Sequence, residues 1–364
     1  MDPKMDSKIL WIAVWAVIVL NVFQPPDALA QLEIKLNDTV NMKFGFLVQG
    51  TGDWTENPVG GAYAQNLYLR RLRFIISAQI TPDITFFYLT DNPNLGKASG
   101  TPPVKTISSG LIAQDAILTW RMARALGFDL GLMIIPLCRN CDTNAAFLLP
   151  IDYGAYTYSS SVPEQSVNGR DTGAQARGYL LGDHLEYRFG IFEGNRSSAN
   201  NAFRSAGRVQ LDLLDPEVGF LYTGAYLGQK RVLAIGIGYD LQKDYRAYAS
   251  DVFLDHPLGP GSVTAQFDYL VFDGGSTLPT LAQQHDWLAE GGYYVTAVKL
   301  MPWLKVEDRR VIHIHLQNEE RYQVGLTYYF LGNNINIKGG FGRVHDQNVP
   351  TANLFTVQLQ GYVF

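Results

Sequence analysis

The chain has 364 residues, with 29 Lys and Arg against 34 Asp and Glu, and this net charge of −5 argues against a nucleic-acid binder. Charged residues make up 17% of the sequence, where a soluble domain carries about 25%, while 35 Gly, 20 Tyr and 19 Phe are abundant. Little charge with much glycine and aromatic suits strands that face lipid.

At the start, Lys4 and Lys8 precede an apolar run from Ile9 to Phe23, and a more polar stretch ends in Ala28-Leu29-Ala30. This is the pattern of a signal peptide over residues 1–30, with a retained anchor as the other reading. The run is shorter than the roughly 20 residues of a spanning helix. Residues 31–364 then form one domain. It carries a net charge of −4, because the leader takes two lysines and three aspartates.

Beyond the leader the apolar residues recur with period two, broken by Gly, Pro, Asn and Asp, so the sequence is all-β. Met42, Phe44, Phe46 and Val48 share a face opposite Lys43, Gly45 and Gln49. Leu72, Phe74, Ile76, Ala78 and Ile80 oppose Arg71, Arg73, Ser77 and Gln79, and the same division recurs at 184–193 and 320–331. The pattern predicts sixteen strands, near 41–50, 66–80, 84–91, 111–122, 128–136, 172–181, 184–193, 206–214, 231–241, 246–254, 262–272, 287–299, 303–316, 320–331, 335–344 and 354–364. Several reach 10 to 15 residues, which suits a tilted membrane crossing of about 9 to 11 better than a soluble strand.

Connections alternate in length, as in a transmembrane barrel with short periplasmic turns and long outer loops. Turns at Thr81–Asp83, Gly182-Asp183 and Gly332–Asn334 are short, and loops at 51–65, 92–110, 137–171 and 194–205 are long. Asp215–Lys230 is the exception, a long link on the periplasmic side. At the C-terminus, Phe364 with Tyr362 resembles the signal read by the barrel-assembly machinery. Gln358 and Gln360 break its apolar phase, so a bulge near Gly361 is expected.

The alternation turns Arg71, Arg73, Arg177, Arg188, Arg208, Arg321 and Lys338 inward, against Glu186, Asp212, Asp268 and Glu290. One reading is a mildly anion-attracting lumen; the other is a solvated wall whose charges pair with one another. Arg70 falls on the outward face, above the membrane rim or turned inward at a bulge. Cys138 and Cys141 in CRNC form a small disulfide loop in an oxidising compartment, with a redox site as the alternative. Asp142 stands where a c-type haem would need His, and zinc lacks two further soft ligands nearby. His313 and His315 share a face but suggest no third ligand, and no nucleophile sits beside a base, so no cofactor, metal or catalytic residue is expected. A TonB-type transporter would need about 22 strands and a plug.

The run YLRRLRF (Tyr68–Phe74), the strand AQDAILTW (Ala113–Trp120) and DTGAQARG (Asp171–Gly178) after a long third outer loop resemble the phosphate-selective porin O/P family, and the resemblance spans nearly the whole mature chain. It implies a sixteen-stranded homotrimer whose third outer loop, here 137–171, folds into the pore as the constriction. It also implies that Arg70 and Arg71 belong to a ladder that guides anions, and Arg73, Arg177, Arg188 and Arg208, turned inward by the alternation, with Arg139 on the loop, are the further candidates for that role. An acidic residue of that family's fourth strand falls on Gln114, with Asp115 next, so these two mark the constriction. The family's loop lysine falls near Cys141, with Arg139 the closest cation. The expected function is an outer-membrane porin of a Gram-negative bacterium, passing small hydrophilic solutes with a preference for anions such as phosphate. Its partners are those solutes, lipid and lipopolysaccharide, and the barrel-assembly machinery. The alternative is a structural sheath housing a partner such as a multihaem cytochrome, which calls for a bare, wide lumen.

Overall fold

The computed structural model describes residues 32–37, 39–57, 59–99, 104–105, 107, 110–157, 169–196, 202–312, 318–347 and 350–364. The expected signal peptide, His313 and His315 lie outside these residues. The strands are β1 (Leu32–Lys35), β2 (Asn41–Glu56), β3 (Tyr63–Gln79), β4 (Ile84–Asp91), β5 (Ala98–Ser99), β6 (Val104–Lys105), β7 (Ile112–Ala123), β8 (Leu126–Ile134), β9 (Arg170–Leu180) and β10 (Leu185–Phe192). They continue with β11 (Arg204–Asp212), β12 (Val232–Gln242), β13 (Tyr245–Leu258), β14 (Gly261–Asp273), β15 (Gln284–Val295), β16 (Leu300–Val311), β17 (Glu319–Leu331), β18 (Ile335–Asp346) and β19 (Ala352–Val363).

All sixteen expected strands are present. Each pairs antiparallel with its neighbours in chain order, and β19 pairs with β2 from Leu354↔Thr55 to Val363↔Phe46, which closes a sixteen-stranded barrel without a free edge. The short β1 continues the row of β19, pairing Leu32 with Phe44, and β5 and β6 form a small hairpin in the loop after β4. Strand β8 packs tightly on β7 at Gly131, whose φ is +131° and where a Cβ would lie 2.0 Å from the Ala116 carbonyl. Only glycine fits there.

The faces divide as period two requires. Phe74, Phe128, Ile191, Ile237, Phe267, Val324 and Leu359 are exposed on the outside, while Arg71, Asp129, Arg188, Arg208, Asp268, Thr327 and Gln358 are buried inside. Fully burying one such apolar side chain is worth about 1.5–3 kcal/mol, and a belt of them around the whole circumference far exceeds the exposed patch of a soluble monomer. This is the surface of a barrel standing in lipid.

Two expectations need correction. The loop expected at 51–65 shrinks to a turn between Glu56 and Tyr63, because Thr51, Asp53 and Thr55 keep the inward phase and the β2–β3 ladder continues. The expected bulge near Gly361 is absent: β19 stays in register with β18 and β2, so Gln358, Gln360 and Tyr362 all point inward. Polar glutamines suit that face, and Tyr362 packs edge-on against Phe147, 5.5 Å between ring centres.

Two segments fill the lumen. The third outer loop, which follows β8, turns inward through a short helix α1 (Arg139–Asp142), and Leu137, Cys138, Arg139 and Leu149 are fully buried. The periplasmic link between β11 and β12 turns inward from the opposite end. They meet inside the barrel in a parallel bridge, Thr143↔Tyr222, where Asn144 N donates to Tyr222 O and Tyr222 N to Asp142 O, each at 2.9 Å.

Candidate functional site

Loop backbone inside a barrel needs hydrogen-bond partners from the wall. Lys338 donates to the carbonyls of Leu148 and Pro150, and Lys305 to those of Asp152 and Tyr153. Gln49 and Gln360 donate to Ala145 O and Ala146 O at 3.2 and 2.9 Å. Thus the inward Lys and Gln residues of β2, β16, β18 and β19 pin residues 145–153 to that wall. On the other side, Arg139 forms a bidentate pair with Glu217 of the link, at 2.6 and 2.9 Å, with its guanidinium 3.5 Å from the Phe253 ring centre. Cys138 and Cys141 are disulfide-bonded and buried at the start of α1, as expected.

A cavity of about 890 Å³ remains in the outer half of the lumen, walled by β2, β3 and β16–β19 and by residues 151–156 of the third loop. Seven cations line it: Arg70, Arg71, Arg73, Lys97, Lys305, Arg309 and Arg321. Three carboxylates face them, those of Asp53, Asp152 and Glu307. Tyrosines stand against several of the cations, Tyr156 lying 4.9 Å from Arg309 and 5.1 Å from Arg321, and Tyr68 4.6 Å from Lys97. At the loop tip, Asp152 sits between Arg70 and Arg71, 2.6 Å from each. Partial burial pushes its carboxyl up, but these two arginines hold it well below the usual range.

The tandem arginines both reach the lumen because the register shifts there: Gln49 pairs with Arg71 and Gly50 with Leu69, leaving Arg70 in a bulge. Arg73, 3.0 Å from Asp91, and Gln114 also line this cavity. Gln114 is fully buried and, among the described residues, neither of its amide atoms has a hydrogen-bond partner. Asp115 is not at the cavity; it pairs with Arg170 at 3.1 Å inside the wall. Arg139, Arg177, Arg188 and Arg208 also lie away from it, held by Glu217, Asp129, Glu186 and Asp251.

The inward count of seven cations to four acids is corrected as well. Among the described residues nine cations and seventeen carboxylates are buried, so the interior as a whole is acidic and the cationic excess is confined to the outer cavity. The earlier count missed acids at strand ends and in short strands, including Asp53, Asp91, Asp129, Asp240 and Asp286. Lys305 and Arg309 were also missed, although they share a face of the expected strand at 303–316. Tyr153 and Tyr156 carry no periodic signal, since they belong to the loop.

Asp142 is fully buried beside Arg188, 3.7 Å away, and neither of its carboxylate oxygens is hydrogen-bonded among the described residues. Burial pushes its carboxyl up to about 6, against the pull of Arg188 and Arg208. A carboxyl raised on folding favours the folded state while protonated, and this contribution is lost as pH rises from the unfolded value through about 6. Asp142→Asn should therefore stabilise the barrel by up to about 3 kcal/mol above that range and by little below pH of about 4. Urea unfolding at an acidic and an alkaline pH checks the sign. An equal effect at both would show that charge burial is not the cause.

No protein-family model matches the sequence, and no curated protein matches it by sequence. Solved structures match the fold. OmpF of Salmonella typhi, in complex with daunomycin, superposes with a TM-score of 0.59 at 13% identity, covering 90% of this chain and 100% of that one. OmpT, an outer membrane protein of Vibrio cholerae in its trimer form, gives 0.56 at 10% identity over 90% and 100%. OpdK of Pseudomonas aeruginosa, solved with vanillate, gives 0.52 at 9% identity over 88% and 98%. This chain has the fold of outer-membrane porins.

Proposed function

We propose that the protein is an outer-membrane channel for small hydrophilic solutes that prefers anions. The observation that carries this reading is the seven-to-three excess of cations around a cavity inside a lipid-facing barrel. Charges close to a narrow path act on a solute through Coulomb terms that water screens only partly. Carboxylate and phosphate solutes both fit, and the phosphate-selective porins are the family whose Arg-Arg pattern Arg70 and Arg71 repeat. The alternation of Tyr with Arg also suits an aromatic carboxylate, the class to which the vanillate of the OpdK structure belongs. Assembly as a homotrimer in a Gram-negative outer membrane, in contact with lipopolysaccharide, is part of the proposal. A sheath around a cytochrome is disfavoured, because the infolded loop and link occupy the bore that a folded partner would need.

Insertion into a planar lipid bilayer tests the proposal. Purified protein should produce discrete current steps in KCl, whereas a folded barrel that yields none rules out the channel.

A further inference from the structure

The cationic cavity has an apolar floor. Ile151 and Trp303 line the cavity and also belong to a buried cluster with Leu149, Ala225, Met301 and Tyr329. Met301 and Tyr329 stand near the periplasmic ends of β16 and β17, so the cluster lies between the cavity and the periplasmic mouth. The Tyr329 hydroxyl lies 3.5 Å from the Met301 sulfur, and the Trp303 indole N–H has no hydrogen-bond partner among the described residues. Such a floor offers a hydrated ion almost nothing in exchange for its water.

We infer that this apolar cluster, and not the cation-lined cavity above it, sets how much current the pore passes. The inference rests on the channel reading above. An apolar constriction excludes ions by dewetting, since an ion crossing it loses hydration without gaining polar contacts. Both halves of the floor are held in place. Leu149 and Ile151 belong to the loop segment whose carbonyls Lys338 and Lys305 grip from the wall. Ala225, from the link, accepts from the Asn333 amide at 3.0 Å, and the N–H of the next residue, Tyr226, donates to the Asp255 carboxylate at 2.9 Å. Cations in the cavity would then concentrate anions above a floor that passes few of them.

Single-channel currents test this with three variants of the full chain: Trp303→Ala, Trp303→Phe, and residues 219–228 replaced by an equal length of Gly and Ser. Heat-modifiable migration in detergent gels verifies that each barrel has folded. Trp303→Ala and the link replacement should each raise the current step by roughly an order of magnitude over the wild type, while Trp303→Phe keeps it low. If one of the two opening variants fails to fold, the other decides. Equal steps in wild type and folded opening variants would overturn the inference while leaving the channel intact. No steps from any folded barrel would remove both.

Discussion

Replacing Arg139 with Ala should lower the unfolding free energy of the barrel by about 3–5 kcal/mol, the usual cost of stranding one member of a buried ion pair. The Arg139 side chain is fully buried, and Glu217 beneath it is nearly so. The guanidinium also donates to Thr223 O at 2.9 Å and stacks over Phe253. With Arg139 gone, Glu217 keeps the Tyr226 hydroxyl and the Gln210 amide but no opposite charge in contact. The pair itself is worth far less than its breakage, since taking two charges from water offsets most of their attraction. Arg139→Leu with Glu217→Leu should therefore recover much of the loss. A double-mutant cycle from equilibrium unfolding in detergent provides the numbers. Two neutral single variants would show that the loop and link do not depend on this contact.

Replacing Arg309 and Arg321 together with Gln should move the reversal potential sharply toward cations. Both guanidiniums lean on one carboxylate, Glu319, at 3.9 and 2.6 Å, so their loss leaves that acid beside the cavity with the Tyr156 hydroxyl but no cation in contact. At about 10 Å and an effective dielectric near 20, each charge contributes roughly 1–2 kcal/mol to the preference for an anion before screening. Salt at about 0.15 M shortens that reach to around 8 Å, so the change should be largest in dilute solution. Replacing Arg73 should do less. Its side chain is 7% exposed and pairs with Asp91 at 3.0 Å, so a passing solute meets a close dipole instead of a cation. An unchanged reversal potential in the Arg309–Arg321 double variant would show that these are paired wall residues.

Most of the barrel was legible in the sequence, because a strand with lipid on one side and water on the other writes its period directly into residues such as those of 184–193 and 320–331. The long link after β11 broke the loop alternation and was still placed correctly, since any other choice misplaces every later loop. Polar strand ends were less legible: Thr51, Asp53 and Thr55 continue β2 but resemble loop residues, because their outward neighbours are Gly50, Gly52 and Trp54. The inward arginines were identified correctly, yet alternation says only that a side chain faces the lumen. It does not say what fills the lumen. Arg139, Arg177, Arg188 and Arg208 hold acids of the wall or the link, and those contacts arise from two inserts folding toward each other over long sequence separations. Asp152, the carboxylate between Arg70 and Arg71, lies some eighty residues from them and has no local pattern.

The most direct test of the account is the reversal potential of the wild-type pore across a bilayer separating dilute from more concentrated KCl. The outer cavity, with seven cations against three carboxylates, predicts a sign that marks chloride as the more permeant ion, fading as salt rises. Potassium selectivity would contradict it, and would mean that the seventeen buried carboxylates of the interior, not the cations of the cavity, govern passage.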